Sequence, residues 1–165
     1  MDTIRGLLRI KSIREEGRER ELRRARHDLE HAAQALREAR QTHETRQQEH
    51  REREEAMYRD VLSRAIVVRE LDDVHAEIIS MKQIEQEDER AVEQAEEERK
   101  QRRDAMDAAT AAWRTAAQAC DKFRDLHHRA VAQQLEEEEQ QAALELEEHP
   151  VRAGTRGFAD LAGEL

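Results

Sequence analysis

Two histidines stand one helical turn apart in His27-Asp28-Leu29-Glu30-His31. An i, i+4 pair of imidazoles on one helix face can hold zinc, and metalloprotease helices use this spacing with a glutamate directly after the first histidine. Here that position is Asp28. Zinc needs at least three protein ligands, and no further ligand falls near this turn. His127-His128 is weaker still, because adjacent residues point apart on a helix. Cys120 is the one thiol. A nucleophilic thiol needs a neighbouring base and a pocket, and the sequence shows neither around it. No Gly-rich phosphate loop is present. Carboxylates are plentiful, but they are spread along the chain and do not form a shielded pair with divergent pKa values. The residues predict no catalytic centre, no cofactor and no metal site.

The elements that would have to position any site explain this poverty. The chain has 165 residues, of which 41% are charged and 2% aromatic. That is too little apolar bulk for a compact globular core. Such polarity could mean disorder, yet the commonest residues (Ala, Glu, Arg, Gln, Leu) are strong helix formers, with only 5 Gly and 1 Pro. The longest apolar run, Ala65-Ile66-Val67-Val68, is far too short to span a bilayer. No signal peptide is evident in residues 1–11, and a lone cysteine fits a reducing compartment. A net charge of -10 argues against general nucleic-acid binding, since phosphate repels such a surface. The expectation is a helical cytoplasmic protein with no membrane insertion.

The apolar period supplies the architecture. In the first half one column runs Leu8, Glu15, Leu22, Leu29, Leu36, His43, His50, Met57, and a second runs Lys11, Arg18, Ala25, Ala32, Ala39, Arg46, Arg53. This 3-4 alternation marks the a and d positions of a coiled-coil seam. The second half repeats it: Leu71, Ile78, Glu85, Val92, Arg99, Met106, Trp113, Cys120, His127, with Val74, Met81, Asp88, Ala95, Arg102, Ala109, Ala116, Phe123, Ala130. The frame breaks at Ser63-Arg64-Ala65-Ile66-Val67-Val68, where β-branched residues weaken the helix and Ser63 could cap a short turn or a new helix.

The fold class expected is therefore all-α, a long two-helix antiparallel coiled-coil hairpin. It has helix 1 over about 3–62, a bend at about 63–68, helix 2 over about 69–148, and a C-terminal tail over 149–165 after the stop at Pro150. Facing residues should then have numbers summing to about 132–136. That register sets the basic seam residues His43, Arg46, His50 and Arg53 opposite Glu85, Asp88 and their neighbours. A single continuous helix in a parallel homodimer is the alternative. It would stack His50 on His50 and Arg53 on Arg53, like charge on like charge. A hairpin of this kind is expected to be a monomer when alone.

The two ends differ chemically. Residues 1–26 hold nine basic residues against five acidic ones, and residues 134–148 hold seven acidic and none basic. Both fall at the open end. They serve either as a charged docking end or as solvated faces that attract each other. At the bend, Met57, Tyr58, Val61, Leu62, Ile66, Val67, Val68, Leu71 and Val74 form an apolar tip. This is either a contact patch or the packing of the turn on itself.

Certain residues also resemble a known family. Leu7-Leu8-Arg9-Ile10-Lys11-Ser12-Ile13-Arg14 resembles the short apolar-basic start of the type III secretion stalk proteins, the SctO/YscO family. The Ala-, Leu- and Arg-rich stretch 21–39 is similar to that family's first helix. Val68-Arg69-Glu70-Leu71-Asp72-Asp73-Val74-His75-Ala76-Glu77-Ile78 is similar to its start of helix 2, and the Glu- and Gln-rich stretch 133–148 to its end. The resemblance covers about residues 1–148, through motifs that are degenerate one by one. The family is in turn similar to the flagellar FliJ protein and to the coiled coil of rotary ATP synthase γ subunits. It implies a stalk at the periphery of the membrane-embedded export apparatus. Its partners would be the secretion ATPase hexamer, the export gate protein and substrate chaperones. By position it implies that Leu7, Leu8, Arg9, Lys11 and Arg14 face the ATPase, and that Tyr58, Val61, Leu62, Leu71 and Val74 lie at the export-gate contact. The competing class is a generic coiled-coil scaffold or spacer.

Overall fold

A computed structural model describes residues 2–65 and 67–148. Its two elements are α1, Asp2–Ser63, and α2, Val68–Glu148. The expected tail over 149–165 lies outside the described residues. The chain falls into two compact units, one of residues 1–16 with 114–165, the other of residues 17–113.

In the larger unit the helices run antiparallel. Ion pairs join Arg53 to Glu77, Arg46 to Asp88 and Arg40 to Glu96, and a hydrogen bond joins His50 to Glu85, over nested sequence separations of 24, 42, 56 and 35 residues. Nested separations are what a chain folded back on itself must show, and a parallel homodimer of one continuous helix cannot produce them. The paired numbers sum to 130 for Arg53–Glu77, 134 for Arg46–Asp88, 135 for His50–Glu85 and 136 for Arg40–Glu96. The basic residues of α1 therefore meet the acidic residues of α2, as the seam register requires.

Burial follows the apolar columns. Leu22, Ala32 and Leu36 of α1 and Ile78 and Met81 of α2 form the buried core of this unit. Each large apolar side chain so covered contributes about 1.5–3 kcal/mol. An exposed ion pair such as Arg40–Glu96 contributes about 0–1 kcal/mol. The apolar seam thus sustains the fold, while the charges fix its register.

One expectation needs correcting. The column through His43 stays inward at His50 and Met57, but the arginines placed in the seam do not: Arg18 of α1 and Arg99 and Arg102 of α2 are exposed. Past His43 the second column of α1 shifts by one residue. Beyond that point the side chains turned inward are Gln47, His50, Glu54, Met57 and Val61, while Arg46 and Arg53 are exposed. Two successive four-residue steps, Ala39 to His43 and His43 to Gln47, shift the frame as a coiled-coil stutter does, locally unwinding the supercoil. A long arginine reaches its carboxylate from the flank while its guanidinium stays in water. Arg46 thereby holds Asp88 Oδ1 at 2.7 Å, and Arg53 holds Glu77. The shift leaves polar atoms inside: among the described residues, His43 Nδ1 and Asp88 Oδ2 are buried without a hydrogen-bond partner. Such groups cost stability.

The bend is built without any left-handed residue among those described. Ser63 does not cap α2. It is the last residue of α1, and its hydroxyl donates to the Asp60 carbonyl at 2.9 Å. Arg64 ties the two helix ends together, donating to Asp60 at 3.1 Å and to Glu70 at 3.3 Å. The cap carbonyl of α2 belongs to Val67, which accepts from the amides of Glu70 at 2.9 Å and Leu71 at 3.3 Å. Glu70, in the first turn, faces the positive end of the helix dipole.

Candidate interaction surfaces

The smaller unit holds the open end. Lys11 Nζ sits 5.4 Å from the centre of the Phe123 ring, a cation–π contact that fixes the side chain against α2. One turn along α1 from Lys11 stands Glu15, and on α2 Cys120 is fully buried, its sulfur accepting from the Arg124 guanidinium at 3.6 Å. Burial, then the Glu15 carboxylate, hold the Cys120 thiol above its ordinary value, opposed by the nearby Arg124 guanidinium. A thiol held neutral in a seam is a packing residue, not a nucleophile. His127 is also turned inward, with its Nε2 buried and unpartnered.

This geometry divides the residues expected to face an ATPase. Lys11 is engaged with α2 and Leu8 is half-buried. Leu7, Arg9 and Arg14 are exposed. Arg9 and Arg14 make no ion pair among the described residues, unlike Arg18, which is held by Glu21 at 2.7 Å. Two residues missed at the sequence level join the exposed set: Ile10, 48% exposed, and Ile13, 55% exposed. Their signal was available, since they lie outside both seam columns in a region otherwise polar on that side. On α2 every residue from Ala132 to Glu147 is exposed, so the helix overruns the start of α1.

At the bend, in the larger unit, the expected tip residues are also divided. Val61, Leu71 and Val74 are half-buried and close the seam. Leu62, 85% exposed, and Val68, 75% exposed, project from the turn beside Val67 and Tyr58. The patch is therefore an exposed surface and does not pack wholly on itself. Leu62 and Val68 flank the Arg64 clamp, so the loop that displays them is held by charge and not by a core.

Among the described residues no group of three or more His, Cys, Asp or Glu side chains could hold a metal ion. No described helix is long and apolar enough to cross a membrane. The surface grooves are lined by helix-face residues such as Glu44, Gln48, Arg51 and Glu52. What the geometry offers is two exposed apolar surfaces: a ridge bordered by Arg9 and Arg14 in one unit, and a loop clamped by Arg64 in the other.

The model of the family described as "Type III secretion protein YscO" matches residues 4–151, a stretch that takes in both surfaces. The chain belongs to the YscO family. Its fold is similar to the crystal structure of the type III secretion protein YscO from Vibrio parahaemolyticus, with a TM-score of 0.75 and 23% identity over 90% of this chain and 93% of that one. No curated protein matches the chain. YscO-family membership assigns the chain to type III secretion, and the shared fold is the all-helical hairpin derived above.

Proposed function

We propose that this protein is the central stalk component of a bacterial type III secretion system. In this reading it couples the cytoplasmic secretion ATPase to the export gate at the periphery of the membrane-embedded apparatus, and it also binds substrate chaperones. It hydrolyses nothing itself. The observation that carries the reading is the YscO family match over residues 4–151, joined to two chemically different surfaces on one hairpin.

The division of labour follows from the surfaces. The open end offers Leu7, Arg9 and Arg14, with Ile10 and Ile13 beside them. Unpaired guanidiniums beside apolar groups suit a partner rim carrying carboxylates, with charge steering the encounter and apolar contact holding it. The bend offers Tyr58, Leu62, Val67 and Val68, an apolar contact of the kind that desolvates well against a groove. Two different helices cannot contact all subunits of a ring alike. Differential contacts bias those subunits toward different conformations, which is how a passive hairpin affects ATP turnover.

Binding tests this reading. The purified chain is passed over its immobilised cognate secretion ATPase, beside an Arg9→Glu/Arg14→Glu variant. Retention of the wild type and loss of the variant is the expected result. If the wild type itself is not retained, the ATPase half of the reading is wrong.

A further inference from the structure

Two faces of the smaller unit have no partner among the described residues. The first lies on α1, opposite its seam. Gly6, Ile10 and Ile13 recur there at four- and three-residue steps, with Leu7 at the edge. Three or four residues is the spacing of neighbours on one helix face. Ile10 and Ile13 are about half exposed. A glycine inside a helix costs about 1 kcal/mol relative to alanine, and a Cβ at Gly6 would meet nothing within 4 Å. The chain's own packing therefore does not require this glycine, whereas close approach of another helix would. Arg9 borders the ridge on one side and Arg14 on the other.

The second face lies on the overrun of α2. Leu135, Ala142 and Leu146 stand seven and four residues apart on one side of the helix. Leu135 and Leu146 are 54% and 73% exposed. Glu138 and Glu145 border this side on one flank and Glu136 and Glu147 on the other, Glu139 lies within it, and no basic residue stands anywhere in the stretch. Residues 133–147 and residues 2–16 are equal in length, each about 22 Å at 1.5 Å per residue.

We propose that these two faces bind each other between two copies of the chain. The overrun of α2 from one copy lies on the Gly6–Ile10–Ile13 ridge of the other, and the exchange is reciprocal. Each ridge is apolar with arginine borders; each overrun is apolar with glutamate borders. An isologous pair uses both contacts twice and closes. Within one chain the contact is impossible, because the overrun begins level with the start of α1 at Asp2 and runs away from it. The expected monomer is thus the dilute form. The inference is independent of the ATPase reading, although the dimer would cover Leu7, Arg9 and Arg14 until a partner displaces the second copy.

Sedimentation equilibrium of the full chain over a range from micromolar to several hundred micromolar tests this. A monomer–dimer equilibrium is expected, weakening at least tenfold when salt rises from 50 to 500 mM, as contacts between charged surfaces are screened. Ile10→Asp/Ile13→Asp should abolish it with helicity unchanged, since both side chains are exposed. Arg9→Glu/Arg14→Glu and Glu138→Arg/Glu139→Arg should each weaken self-association at least tenfold. Mixing those two variants should restore it, because both reciprocal contacts then regain opposite charge. A monomer at every concentration overturns the proposal, as does a dimer indifferent to both reversals, or reversed variants that stay apart when mixed.

Discussion

Replacing Leu36 with alanine removes the most secure apolar contact of the α1 seam in the larger unit. Leu36 is 3% exposed, so nearly all of its side chain leaves water on folding. A fully buried leucine is worth about 1.5–3 kcal/mol, and leucine-to-alanine changes in closed cores cost about 2.7–5 kcal/mol because a cavity adds to the transfer loss. A two-helix seam has no third wall, so water reaches the vacated space and the cavity contribution shrinks. The expected loss is therefore about 2–3 kcal/mol. Arg40→Ala is the matched control. Its partner Glu96 lies 2.6 Å away across the same seam, but both side chains are about half exposed, and such a pair contributes about 0–1 kcal/mol. Urea unfolding followed by circular dichroism at 222 nm measures both, with unchanged m-values showing that the unfolded states are comparable. A Leu36→Ala loss below about 1 kcal/mol, or one no larger than that of Arg40→Ala, would refute the view that the apolar seam outweighs the ion pairs.

The thiol gives a pH test. Burial and Glu15 raise the Cys120 value above its ordinary 9.0, so the folded state retains a proton that the unfolded state sheds. Stability should fall as pH climbs above about 9, and Cys120→Ala should flatten that fall; an identical alkaline slope in both proteins would contradict the assignment. Native Cys120 should also react with a thiol reagent far more slowly than the unfolded chain. A third test concerns the polar seam. His50→Leu/Glu85→Leu should stabilise the hairpin by about 1 kcal/mol or more, since half-buried ionic pairs seldom outperform apolar ones. Glu85→Leu alone should destabilise it, because His50 Nδ1 loses the acceptor at 2.8 Å.

The second helix was legible almost residue by residue. Ile78, Met81 and Cys120 are buried where the repeat sets them, and the exceptions are Arg99 and Arg102, which stand in its columns but are exposed. In the first helix one column was legible through His50 and Met57, and the other failed at Arg18 and again past His43. Arg46 and Arg53 satisfy a heptad on paper, but an arginine can complete its ion pair from outside the seam, and period alone does not say on which side it will stand. The clue lay in Met57 and Val61, four residues apart, which fit the shifted frame. Ser63 misled because serine favours helix starts, whereas its hydroxyl here bonds back to Asp60. Arg64 passed unnoticed, since its clamp joins Asp60, four residues before it, to Glu70 across the bend. At the open end Lys11 stood in a seam column from the start, and that position, rather than its charge, decided where it points.

ATP turnover tests the coupling role most directly. Purified secretion ATPase is titrated with the wild-type chain, with Arg9→Glu/Arg14→Glu and with Leu62→Asp, all under the same salt. A stalk engaged through its open end should raise turnover, the arginine variant should fail to do so, and Leu62→Asp, altered only at the exposed bend, should act like wild type. Turnover unchanged by the wild-type chain, or raised equally by the arginine variant, would contradict the account.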